Sequence, residues 1–233
     1  MAKSKRVMLV VVEGPTDETA FGYLLEKLFA SKRVAFDIVG GDTTTAVLPS
    51  GGSAQNEVRK AVIAHIDRSL YTWRDLDRIV QIVDLDGAFV DDEAVVACED
   101  GLTYELDCIR AADVDSIRDR NRRKSLALRK LIGTSDLKYK NKAVPYRVYF
   151  MARNLEHALH NVMESVDAGE KERLAREFQR RYINDLSGFV KYMHSEDVAV
   201  AGGYAETWGA VREGTASLHR GSNLHLLLEE SEV

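Results

Sequence analysis

The sequence predicts a doubly wound α/β fold, a mainly parallel sheet flanked by helices. Two observations carry this: the apolar runs Val7-Met-Leu-Val-Val-Val12, unbroken, and Ile79-Val-Gln-Ile-Val83, interrupted by Gln81 alone, and the helical-period segments that lie between and after them. Runs of that kind belong to strands covered on both faces, and alternation of strands with helices predicts a parallel sheet.

Glu13-Gly14 ends the first run. Pro15 and Thr16 then open a helix with Asp17 and Glu18 in its first turn and Ala20, Phe21, Leu24, Leu25 and Leu28 on one face. A second strand is expected over Ala35–Val39, closed by Gly40-Gly41-Asp42 and a Thr43–Thr45 loop. Gly51-Gly52-Ser53 introduces a second helix through Val58, Val62, Ile63, Ile66 and Leu70. Arg78–Val83 is the third strand and runs into Asp84-Leu85-Asp86-Gly87. A charged, mostly helical insertion, residues 88–143, separates it from the strand Tyr146–Phe150, after which Asn154-Leu155-Glu156-His157 starts a helix. Apolar positions Leu174, Phe178, Tyr182, Leu186, Phe189 and Met193 predict one amphipathic helix from Glu170 to about His194. The tail, with Trp208, His219, Arg220 and Asn223, has no assignable period.

A chain of 233 residues buries one sizeable core. The expected organisation is a core of residues 1–165 that includes the insertion, and a helical C-terminal extension, 166–233, packed on it. The run Val7–Val12 is too short to cross a bilayer, and no cleavage signature precedes it, so no membrane association and a cytoplasmic location are expected. Cys98 and Cys108 have the spacing of neither a CxxC pair nor a zinc knuckle.

A net charge of -5 argues against bulk coating of nucleic acid. Between Arg118 and Lys142, however, ten basic residues face two acidic ones, Asp119 and Asp136. That stretch lacks the acids an ordinary surface helix uses for pairs one turn apart. Arg122, Arg123, Lys124 and Lys130 are therefore candidates for phosphate contacts with DNA or RNA, joined by Arg153 and His157 beside the next strand.

In a doubly wound sheet the loops at the carboxyl ends of the strands line the binding crevice. Glu13, Asp84, Asp86 and Glu156 each follow such an end. A single acid there is ordinarily a solvated loop residue or a helix cap; acids at three strand ends point to a shared hard cation. Mg²⁺ or Mn²⁺ relieves the mutual repulsion of carboxylates and offers open positions to phosphate oxygens.

A hydrophobic strand followed by Glu13-Gly14-x-Thr16-Asp17, then two βα units on a strand followed by Asp84-x-Asp86-Gly87, resembles the TOPRIM family. That family is shared by bacterial primases, type IA and type II topoisomerases, small RNA-maturation nucleases and OLD-family nucleases. The resemblance implies a TOPRIM-like fold, Glu13 as metal ligand or general acid/base, and Asp84 and Asp86 as Mg²⁺ ligands. By likeness to OLD nucleases, Glu156 completes a second metal position. No zinc segment of the primase kind, no room for strand-passage domains and no GxxxxGK[ST] motif are present. A compact metal-dependent nuclease with Glu13, Asp84 and Asp86 as catalytic residues is the expectation. By the same resemblance it serves in phage or plasmid defence, sometimes beside a separate ATPase.

Two alternatives stand beside it. Ile82-Val-Asp84-Leu-Asp86-Gly87 also resembles the first motif of haloacid-dehalogenase-type phosphatases, with Asp84 as nucleophile. That fold begins with this motif, whereas here two βα units precede it. The third reading is a non-catalytic nucleic-acid or protein binding module in which the acids hold a structural cation.

Overall fold

The computed structural model describes residues 6–38, 53–99 and 101–231. The chain opens β1 (Val7–Val12), α1 (Pro15–Leu28), β2 (Arg33–Ile38), α2 (Ala54–Ile66) and β3 (Leu76–Asp84). The segment after β3 holds β4 (Val95–Ala97), β5 (Thr103–Tyr104), β6 (Ile109–Ala111), α3 (Val114–Ile132) and β7 (Asp136–Tyr139). There follow β8 (Lys142–Met151), α4 (Leu155–His160), α5 (Ala168–Tyr182), α6 (Leu186–Met193), α7 (Tyr204–Ala210) and α8 (His225–Leu228).

The central five-stranded sheet has the order β2-β1-β3-β8-β7. β1 runs parallel to β2 and β3, and β3 parallel to β8, while β7 is an antiparallel edge. The α/β class and the mostly parallel sheet are as expected. β1 is buried along its whole length, and its alternate residues feed two different cores. Leu9 and Val11 pack with Val58 and Val62 of α2 and Leu128 and Leu131 of α3 on one face. Met8, Val10 and Val12 pack with Phe21 and Leu24 of α1, Phe178 of α5 and Phe189 of α6 on the other.

Several local expectations change. The insertion is only partly helical: β4, β5 and β6 form a small second sheet, and β7 joins the central one. α2 stops at Ile66, and Leu70 is fully exposed. The apolar period from 170 to 194 is real but spans two helices, because Asp185 caps a new helix by accepting the Gly188 N–H. β2 begins at Arg33, earlier than the β-branched pattern suggested, and the Gly40–Asp42 turn and Thr43–Thr45 loop lie outside the described residues. No helix among the described residues is long and apolar enough to cross a membrane.

The tail that had no period is stitched into the sheet. β7 ends early, leaving the last residues of β8 with a free edge, and residues 217–223 occupy it. Ala152 donates to Gly221 O, Arg153 to Ser217 O, and Phe150 to Asn223 Oδ1 at 2.9 Å. Ser222 Oγ returns a bond to Phe150 O, and Trp208 packs edge-on against the Phe150 ring at 4.7 Å. A buried edge must satisfy its backbone groups. This strap therefore fixes the site end of β8.

Candidate metal centre

β2 lies on one side of β1 and β3 on the other, so the chain reverses its direction of sheet growth between β1 and β3. In folds of this class the loops leaving the carboxyl ends of two such strands are where a binding crevice forms. Glu13 leaves β1 at that point and Asp84 ends β3.

The turn after β3 is sharply defined. Asp86 and Gly87 both have left-handed backbones, φ +48° and +70°. The Leu85 N–H donates to Met151 O and the Asp86 N–H to Arg153 O at 2.8 Å, which ties the turn to the end of β8. A Cβ at Gly87 would stand 2.7 Å from Ile109 Cδ1 and 2.9 Å from Leu218 Cδ2, so glycine is required. Gly14 differs: its backbone is extended, and a Cβ there would come no closer than 3.7 Å to Asp17. Nothing in the local fold demands a glycine at 14.

Five carboxylates belong to one electrostatic group. Burial raises the Asp84 carboxyl well above its ordinary range, and the charges of Asp17, Asp86 and Glu13 raise it further against the pull of Lys124. Asp17, on the buried face of α1, is pushed up to about 6, chiefly by burial and then by Glu156, while its bond from the Gly14 N–H opposes the shift. Glu156, in the first turn of α4, is 4% exposed and lies 3.6 Å from Lys171 Nζ of α5. Asn154 caps α4 by accepting the His157 N–H and so sets the start of that helix.

Lys124 is the cation of the cluster. It is 0% exposed, and its Nζ donates to Asp86 Oδ2 at 2.6 Å. It shares one face of α3 with buried Asn121, Leu128 and Leu131, so helical phase sends it inward. Arg120 of the same helix donates to Asp86 O and to the Tyr104 hydroxyl, both at 2.7 Å.

The other basic candidates divide. Arg122 is exposed but pairs with Asp92 and Asp119, and Arg118 holds the Asp92 and Val95 carbonyls. The acids missing from the basic stretch are thus supplied partly from outside it, by Asp86 and Asp92. Arg123 and Lys130 are exposed on α3. Arg153 is buried with a left-handed backbone, φ +59°, and its guanidinium lies over the Tyr104 ring at 5.2 Å. His157 is buried, and its imidazole is lowered to about 4 by burial and by neighbouring Arg153 and Arg220.

An all-oxygen set of carboxylates that outnumbers its neighbouring cations suits a hard divalent cation. In the structure the group is loosely spaced, with Asp86 turned to Lys124. Among the described residues, the His, Cys, Asp and Glu atoms that lie within 4.8 Å of one another as a trio are those of Glu105, Asp107 and Cys108, which could hold a metal ion. That trio sits at the surface before β6, where Glu105 also pairs with Arg110 at 2.6 Å. Cys98 and Cys108 are free thiols.

No family model, curated protein or solved structure matches this chain.

Two members of the cluster escaped the reading of the sequence. In the sequence Asp17 reads as a first-turn acid and as the last residue of Glu13-Gly14-x-Thr16-Asp17, but it is also in phase with the apolar stripe of Phe21, Leu24 and Leu28. Lys124 had been grouped with outward cations, although it is in phase with Leu128 and Leu131. An ionisable residue on the buried stripe of an amphipathic helix was the available signal in both cases.

Proposed function

We propose that this chain is a Mg²⁺- or Mn²⁺-dependent phosphodiesterase acting on DNA or RNA. The observation that carries the reading is the convergence of Glu13, Asp17, Asp84, Asp86 and Glu156 at the switch point of the sheet. There, burial and mutual repulsion hold Asp84 well above the usual carboxylate range. Buried acids that repel one another at this place in an α/β sheet are candidates for a functional site.

Glu13, Asp84 and Asp86, with Glu156 at the edge, are the residues that would hold the cation. When bound, it neutralises charge developing on the phosphate oxygens and lowers the pKa of an attacking water. Glu13, at the carboxyl end of β1, would be the group to accept the proton of that water where it does not itself hold the cation. Lys124 holds Asp86 at a fixed orientation, and its backbone is held by the Asp86 N–H donating to Arg153 O and by Arg120 donating to Asp86 O. Exposed Arg123 and Lys130 lie on the same helix as Lys124 and supply backbone contacts to the nucleic acid.

The test is metal-dependent cleavage of labelled DNA and RNA by the wild type and by Asp84→Ala with Asp86→Ala. Unchanged cleavage by the double variant removes the assignment. The phosphatase reading draws support from one observation, a buried lysine bonded to the second acid of the DxD pair. Glu13 and Asp17 beside Asp84 weigh against it, because they repel an incoming phosphate from a nucleophilic aspartate. Release of phosphate from small monoesters with a trapped aspartyl-phosphate at Asp84 would favour it.

A further inference from the structure

Arg153 is attracted through its guanidinium by the charges of Asp86 and Glu164, yet most of its hydrogen-bonding capacity is unused. It is 3% exposed, yet Nε and Nη1 have no hydrogen-bond acceptor; Nη2 alone donates, to Met163 O. An arginine in this setting stays charged, and buried guanidinium donors without acceptors are strongly unfavourable. The Tyr104 ring beneath it offsets only part of that. Its left-handed backbone is a second local strain, of a kind that persists where function requires it.

Arg153 lines a pocket of about 230 Å³ together with Tyr104, Asn154, Ser165 and Lys171. This volume lies below the roughly 300–1,000 Å³ typical of small-molecule sites, so it accepts a compact group rather than a nucleoside. Lys171, at 40% exposure, adds a second cation at the rim, already facing Glu156. Glu164 also lines the pocket, but it is solvent-exposed. The pocket adjoins the cluster directly, since the Arg153 carbonyl accepts the Asp86 N–H.

We propose that this pocket receives the terminal phosphate of a nucleic-acid strand, with Arg153 as its anchor, so that the neighbouring phosphodiester reaches the acidic cluster. Nε and Nη1 lie on different edges of the guanidinium plane, so each would take its own oxygen, and a phosphate group would supply acceptors that the buried guanidinium lacks. The reading rests on the phosphodiesterase assignment for its substrate class, and it makes the protein a processor of phosphorylated ends.

The experiment compares short labelled strands ending in a 5′-phosphate, a 3′-phosphate or hydroxyls only. Binding is measured by fluorescence anisotropy with chelator present, and cleavage separately with Mn²⁺. One phosphorylated strand should bind roughly tenfold or more tightly than the hydroxyl strand, and inorganic phosphate should compete with it. Arg153→Met should abolish the preference and Arg153→Lys restore part of it. Equal binding of all three strands by the wild type overturns the proposal, as does a preference that survives Arg153→Met. If Arg153→Met does not fold, the wild-type comparison still decides, and Lys171→Met at the rim should weaken the preference. Preference without cleavage keeps the pocket and removes the phosphodiesterase reading; cleavage without preference does the reverse.

Discussion

Lys124 Nζ and Asp86 Oδ2 lie 2.6 Å apart, and the lysine has no exposed surface while the aspartate is about a quarter exposed. This pair joins the buried face of α3 to the turn that carries the DxD acids. Removing one member of such a pair leaves a charge in a poorly solvated place. Lys124→Met should destabilise the protein by about 3 kcal/mol, at the lower end for buried pairs because Asp86 retains some water. Urea unfolding checks this, and adding Asp86→Asn to Lys124→Met should recover part of the loss.

Asp84→Asn should act in the opposite direction. The ionised carboxylate is disfavoured by burial and by three neighbouring acids, so a neutral isostere relieves the folded state. In chelator-treated protein the variant should melt above the wild type, and it should lose the upward shift that Mg²⁺ or Mn²⁺ gives the wild type. A variant that melts lower and keeps the full metal shift would contradict the placement of Asp84.

The pH dependence of stability should carry the signature of Asp17. Its carboxyl is raised from 3.8 to about 6, so its favourable contribution is complete below 3.8 and is lost as the pH rises through about 6. The loss at neutral pH is on the order of 3 kcal/mol. Asp17→Asn keeps an acceptor for the Gly14 N–H and removes the charge. Its stability relative to wild type should therefore rise between pH 4 and 7, read from urea midpoints in chelator, and divalent cation should flatten the difference.

His157 should remain neutral through mildly acidic conditions. Burial lowers its imidazole to about 4, with Arg153, Arg220 and His219 contributing in the same direction. Nitrogen chemical shifts should show the neutral ring at about pH 5.5 and no titration near the ordinary value of 6.5. Any contact it makes with a phosphate is then that of a neutral donor.

Gly87→Ala should destabilise the fold by about 1–3 kcal/mol, since the new methyl group meets Ile109 and Leu218 and the backbone is left-handed. Thermal denaturation measures this, and an unchanged midpoint would mean the turn can relax.

The strands and the acids at their ends were legible in the sequence because burial on both faces writes an unbroken apolar run, and Glu13, Asp84 and Asp86 interrupt such runs. The small sheet of β4, β5 and β6 was not legible, because strands of two or three residues leave no periodic trace. One apolar period covered α5 and α6 together, since both lay the same stripe on α1; only Asp185 marks the break. Residues 217–223 were opaque for another reason. They pair mainly through backbone atoms and two small polar side chains, Ser222 and Asn223, whose partners are some seventy positions away. Long-range backbone pairing has no local signature.

That strap also has a temporal consequence. Phe150, Ala152 and Arg153 obtain their edge partners from residues more than sixty positions later in the chain. A nascent chain can assemble β1, β3 and most of β8 early, but the wall beside the acids stays unpaired until residue 223 has emerged. Assembly of the acidic cluster is thereby deferred until a segment more than sixty residues downstream of β8 has been made.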